Sequence, residues 1–122
     1  MMNIRKISMK KIDVIIAHER LIEINEIIHK HKVGGMTFYN IKGRGRSNLE
    51  PVDSNKGILR PTPEFQTRIK CEMIVPEHMV RSIVDEIIKV INSGSAPDGK
   101  IFVYEVVEAH DIRAKVSGEI AL

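Results

Sequence analysis

Two short runs combine cations with glycine in a way that suits an anionic ligand. Lys42-Gly43-Arg44-Gly45-Arg46 sets three cations in five residues, spaced by glycines that let backbone N–H groups approach a phosphate. Gly94-Ser95-Ala96-Pro97-Asp98-Gly99-Lys100 follows a helical pattern and presents backbone donors and a lysine at the edge of an apolar run. Each alone reads equally well as a solvated loop or a tight turn. Two such loops at neighbouring strand ends point to a phosphate site more than either does separately.

Catalytic and metal chemistry find little support. Cys71 falls on the apolar alternation of its segment and reads as a small buried hydrophobe. His29 and His31 are two residues apart on a helical pattern, about 200° around the axis, and cannot share a metal. His18, His78 and His110 have no cysteine or carboxylate at ligand spacing. Glu23 and Glu26 form a solvated helix face, and the adjacent Asp85 and Glu86 diverge, so neither pair makes an acid and base. The expectation is no catalytic residue and no metal ligand.

Composition narrows the class further. The 122 residues are 43% hydrophobic and 29% charged, which is enough to bury one core, and 4% aromatic with no Trp. Nineteen Lys and Arg against sixteen Asp and Glu give a formal charge of +3, favouring anionic ligands without demanding nucleic acid. The single cysteine excludes an internal disulfide framework and suggests a reducing, cytoplasmic setting. No apolar run approaches the ~20 residues that cross a bilayer, and no secretory leader is expected at the start.

These residues must be held by regular elements. After a basic extension over 1–8, Lys11–Ala17 is short and rich in β-branched residues, as in a buried strand. Leu21, Ile24, Ile27 and Ile28 recur at helical spacing, and Gly34-Gly35 is the expected stop. Met36–Lys42 returns to strand character. From Phe65 to Val75 apolar and polar residues alternate, then Val80, Ile83, Val84, Ile87, Ile88 and Ile91 form a second helical stripe ended by Gly94. Ile101–Val107 is the fourth strand. The order β-α-β, loop, β-α-β predicts an α+β ferredoxin-like βαββαβ sandwich: a four-stranded antiparallel sheet with two helices on one face. Ile15, Tyr39, Ile41, Phe102, Tyr104 and Val106 must share the two sheet faces with the core set, so the open face is not uniformly polar, which predicts a homo-oligomer.

The 22 residues from Gly43 to Glu64, between strands 2 and 3, fit no element. A structureless insertion that long in a compact domain points to function.

Four stretches carry a resemblance: Lys10-Lys11-Ile12-Asp13-Val14-Ile15-Ile16, Gly35-Met36-Thr37, Lys42-Gly43-Arg44-Gly45-Arg46 and Asp98-Gly99-Lys100-Ile101-Phe102-Val103. From Met9 onward the chain resembles the PII signal-transduction proteins, small trimeric cytoplasmic sensors of nitrogen, carbon and energy status. The resemblance implies a non-catalytic homotrimer that binds ATP or ADP between subunits. It also implies a partner-binding T-loop over 43–64. Thr37, Glu72 and Ile74 match positions near the base, with Gly35 and Met36 beside them. Gly45, Arg46, Asp98, Gly99, Lys100 and Arg113 match positions around the phosphates. The implied partner is an ammonium transporter or a nitrogen-assimilation enzyme, with no nucleic acid and no membrane insertion.

The chain also departs from the family pattern. Ser47 stands where a glutamine helps hold magnesium and 2-oxoglutarate, and Arg68 where a lysine assists the 2-oxoglutarate carboxylate, so neither ligand is expected to bind well. Asp111 replaces the first arginine of a closing pair, which weakens the hold on a terminal phosphate and favours ADP or AMP. The loop holds no tyrosine, so tyrosyl nucleotidylation is excluded there.

Two other classes compete. An RNA-binding module on this fold needs stacking aromatics on its central strands, and the segment from Phe65 to Val75 offers one, at its edge. A small oligomeric enzyme on the same fold needs a convergent acid, base or nucleophile set.

Overall fold

The computed structural model describes residues 8–44, 52–53, 59–60, 65–94 and 98–122. In chain order these form β1 (Met9–Ile16), α1 (Leu21–Lys30), β2 (Thr37–Gly43), β3 (Val52–Asp53), β4 (Leu59–Arg60), β5 (Gln66–Pro76), α2 (Glu77–Ile91), β6 (Lys100–Val106), β7 (His110–Asp111) and β8 (Val116–Ser117). The main sheet is antiparallel throughout, in the order β2-β5-β1-β6. Its alternation sets the architecture. Ile12, Val14 and Ile16 of β1 and Ile69, Cys71, Met73 and Val75 of β5 point to one face. There they meet Ile24, Ile27 and Ile28 of α1 and Ile83, Ile87 and Ile91 of α2. Both helices therefore cover the same side, as the ferredoxin-like expectation requires. Isoleucine is a mediocre helix former, but burying each side chain contributes about 2 kcal/mol and outweighs that preference.

The α1 terminus forms differently from the expectation. The helix ends at Lys30, and Lys32, not a glycine, takes the left-handed position at φ 56. The Lys32 N–H then donates to His29 O, and the Val33 N–H to Ile28 O at 3.1 Å. That wrap satisfies the terminal carbonyls before Gly34 is reached. Gly34 serves another purpose, since a Cβ there would lie 3.0 Å from the carbonyl carbon of Leu122. Likewise α2 ends at Ile91, ahead of Gly94. The two helices are tied across their surface by Glu86, whose Oε1 accepts from Lys30 at 2.6 Å and whose Oε2 lies 2.5 Å from His31 Nε2.

Two short pairings were not anticipated. Part of the long insertion is paired, with Val52 opposite Arg60 and Asp53 opposite Leu59. After β6 the chain forms a hairpin, β7 with β8, followed by a 3-10 turn over Gly118–Ala121. Strands of two residues carry no periodicity by which to recognise them.

Candidate functional site

Register decides which side chains share the open face, because directly paired residues lie on the same side of a sheet. Asp13 pairs with Glu72 on one side and Phe102 on the other, and Thr37 pairs with Glu72. Tyr39 pairs with Lys70, Lys11 with Ile74 and Tyr104, and Ile15 with Lys100. All six apolar residues flagged in the sequence, Ile15, Tyr39, Ile41, Phe102, Tyr104 and Val106, fall on this open side.

The residues expected near a base gather at the β2–β5 edge. Thr37 lies directly across from Glu72, and Ile74 follows two positions along the same face. Gly35 and Met36 lead into β2, with Met36 half-buried against the core. Glu72 is held at one oxygen. The Tyr39 hydroxyl donates to its Oε1 at 2.6 Å, and the ammonium groups of Lys11 and Lys70 stand 3.4 and 3.6 Å from that same atom. The bond from Tyr39, with help from both lysines, holds the Glu72 carboxyl below the usual carboxylate range despite partial burial. The same bond raises the Tyr39 phenol.

Behind Glu72 lies Asp13, the one buried charged side chain among the described residues, at 1% exposure. Lys11 reaches its Oδ1 at 3.3 Å and Lys70 its Oδ2 at 3.5 Å. Each lysine thus bridges Asp13 and Glu72, so the two acids and two bases neutralise one another. Lys11, Asp13, Tyr39 and Lys70 were not singled out as site residues from the sequence. The available signal was Lys11 and Asp13 at alternate positions in a strand whose remaining residues, Lys10 apart, are apolar.

The glycine and lysine of the second loop sit at the opposite edge. Gly99 has φ +134, and a Cβ there would lie 2.2 Å from the Ile15 carbonyl oxygen, so the turn into β6 demands glycine. Asp98 closes this turn: its Oδ2 accepts from the Ser93 and Gly94 amides at 2.9 and 3.1 Å, and its Oδ1 from the Ser93 hydroxyl at 2.5 Å. Those bonds, the hydroxyl first, lower its carboxyl despite partial burial. Asp98 therefore shapes the loop that presents Lys100. On the helix side, α2 and β6 enclose a groove of about 410 Å³ whose aliphatic wall, with Ile87, Ile88 and Ile101, ends at Asp98, Gly99 and Lys100.

Lys100 and Thr37 thus occupy opposite edge strands, three inter-strand steps or roughly 14 Å apart. Arg113 lies in the exposed turn of the β7–β8 hairpin. Asp111 shapes that turn, its Oδ1 accepting from the Ala114 amide at 2.8 Å. Gly45, Arg46 and Ser47 lie outside the described residues.

Cys71 is fully buried, and burial pushes its thiol up to about 11. Among the described residues no three His, Cys, Asp or Glu side chains cluster as metal ligands, and no helix is long and apolar enough to cross a membrane.

The sequence and the fold have counterparts among known proteins. Residues 9–116 match the family model described as nitrogen regulatory protein P-II. Nitrogen regulatory protein P-II 1 of Escherichia coli is 33% identical over 114 residues, covering 93% of this chain and all of the relative. Nitrogen regulatory protein P-II of Haemophilus influenzae is 32% identical over the same share of both chains. Among solved structures, Bacillus subtilis GlnK superposes with a TM-score of 0.76 at 27% identity, covering 94% of this chain and 99% of the other. The B. subtilis GlnK–ATP complex gives 0.75 at 27% identity, covering 94% and 98%. The two-helix, four-stranded ferredoxin-like sandwich is that of these regulators. The chain belongs to the nitrogen regulatory protein P-II family of signal-transduction proteins.

Proposed function

We propose that this chain is a non-catalytic regulator that binds ATP or ADP in clefts between the subunits of a cytoplasmic homotrimer. One observation carries the reading. The residues matching base positions lie on the β2–β5 edge, and Gly99 and Lys100 lie on the β6 edge of the same sheet. A nucleotide that meets both groups bridges the β2 edge of one chain and the β6 edge of the next, which a closed ring supplies. The exposed aromatic rings of Tyr39, Phe102 and Tyr104 on the open face support burial against further copies. The ATP complex of B. subtilis GlnK supports the ligand class.

Base contacts fall to Thr37, Glu72 and Ile74, flanked by Gly35 and Met36. Phosphate contacts fall to Gly45, Arg46, Gly99, Lys100 and Arg113, with Asp98 forming the turn. The loop over 43–64 then presents a nucleotide-dependent surface to a nitrogen-metabolism partner, an ammonium transporter or an assimilation enzyme. Asp111, by removing a cation near the phosphates, favours ADP or AMP over ATP, and Ser47 disfavours magnesium and 2-oxoglutarate.

Calorimetric titration of ATP, ADP and AMP tests this, with inorganic triphosphate as the charge control. Saturable, adenine-dependent binding near one per subunit, lost in Lys100→Ala, is expected. Equal heat from triphosphate, or none from any ligand, contradicts it.

A further inference from the structure

The contacts of Glu72 are lopsided. Tyr39, Lys11 and Lys70 all converge on Oε1, at 2.6, 3.4 and 3.6 Å. Oε2 has no hydrogen bond or ion pair among the described residues. The side chain keeps a quarter of its surface exposed at the edge where Thr37 begins β2. One oxygen is anchored and the other is open to a ligand.

We propose that Tyr39 is a specificity-determining positioning residue for the base: by occupying Glu72 Oε1, it leaves Oε2 as a single acceptor suited to the exocyclic amine of adenine. This rests on the adenine-nucleotide reading above. The selectivity follows from donor geometry. Guanine offers two adjacent donors, N1–H and the N2 amine, and a carboxylate reads them with both oxygens at once. With Oε1 engaged, that paired contact is denied, and the guanine O6 acceptor faces an anion. Adenine needs only one acceptor for its amine. A free, rotatable carboxylate would lose this discrimination, because rejection of a wrong base depends on polar groups that cannot rearrange to pair with it.

The surroundings fit the role. Tyr39 lies on β2, in direct register with Lys70, whose ammonium stands 6.0 Å from the ring centroid. The ring is therefore fixed from two sides, by a cation against its face and by Glu72 at its hydroxyl. The lowered Glu72 carboxyl keeps Oε2 an acceptor at neutral pH.

The test compares wild type with Tyr39→Phe, which removes only the hydroxyl, by titration with ATP, GTP and ITP. Thermal melts establish that the fold is retained. Wild type is expected to prefer ATP over both GTP and ITP, since ITP lacks the amine. In Tyr39→Phe, the ATP-to-GTP preference is expected to fall about tenfold, chiefly through tighter GTP binding. Glu72→Gln serves as a second variant and is expected to abolish the preference for ATP over ITP. An unchanged ATP-to-GTP ratio in Tyr39→Phe overturns the role of Tyr39 while leaving nucleotide binding intact. Equal weakening of all three nucleotides overturns it too, because a structural role moves them together. If wild-type heat with ATP matches that with inorganic triphosphate, base reading and the nucleotide function fail together.

Discussion

Gly99 packs so closely on β1 that an added Cβ would meet the Ile15 carbonyl oxygen at 2.2 Å. The obstacle is backbone, which cannot swing aside as a flexible side chain could, and φ +134 adds strain for any L-residue. Gly99→Ala is expected to cost more than about 2 kcal/mol and to weaken ATP binding, because Lys100 follows directly. Chemical denaturation and calorimetry on the same variant check both effects.

Cys71 should be inert in the folded protein. Its thiol is raised from 9.0 to about 11, so the native state keeps its proton where the unfolded chain has lost it. Above pH 9 the unfolded state binds fewer protons than the native state. Stability from this group is therefore complete below 9 and lost as pH rises to about 11. Cys71→Val is expected to remove about 2–3 kcal/mol of that pH dependence, read as the difference between the two proteins' denaturation curves. Native protein should resist alkylation at pH 8, and unfolded protein should react.

Asp13 is buried between Lys11 and Lys70, and removing it leaves two cations facing the single carboxylate of Glu72 on a face proposed to be covered by other subunits. Asp13→Ala is expected to destabilise by about 3 kcal/mol. Adding Lys70→Met should restore part of the loss, measured as a coupling energy in a double-mutant cycle.

Glu86 joins α1 to α2 through Lys30 and His31. Lys30 first, and His31 with it, hold its carboxyl below the ordinary 4.5. Because the folded value is depressed, its stabilisation is complete above 4.5 and disappears as pH falls through the folded value. Glu86→Gln should lower the melting temperature at pH 7. The gap to wild type should close on acidification and shrink in high salt.

Periodicity carried most of the architecture. The alternation from Phe65 to Val75 matches β5 within one residue at each end, and the stripe from Val80 to Ile91 lies within α2, which begins three residues earlier and ends at the same residue. The α1 terminus was misread because glycine is the usual left-handed residue, while here Lys32 adopts that conformation two residues earlier. The β7–β8 hairpin was illegible because two-residue strands have no pattern, and its turn depends on an Asp111 side chain bond. The glycine-and-cation loop at Gly99 and Lys100 was legible from composition. The Tyr39–Glu72 bond was not, since it depends on a β2–β5 register set across the whole long insertion.

Division of the site between chains is tested by mixing two broken proteins. Glu72→Ala disables the β2–β5 edge and Lys100→Ala the β6 edge, so each homotrimer should bind ATP poorly. When the two are unfolded together and reassembled at equal amounts, random mixing into trimers should pair an intact edge with an intact edge at about a quarter of the clefts. Recovery of ATP binding at roughly that level is the expected result. No recovery in reassembled trimers would contradict a site shared between subunits.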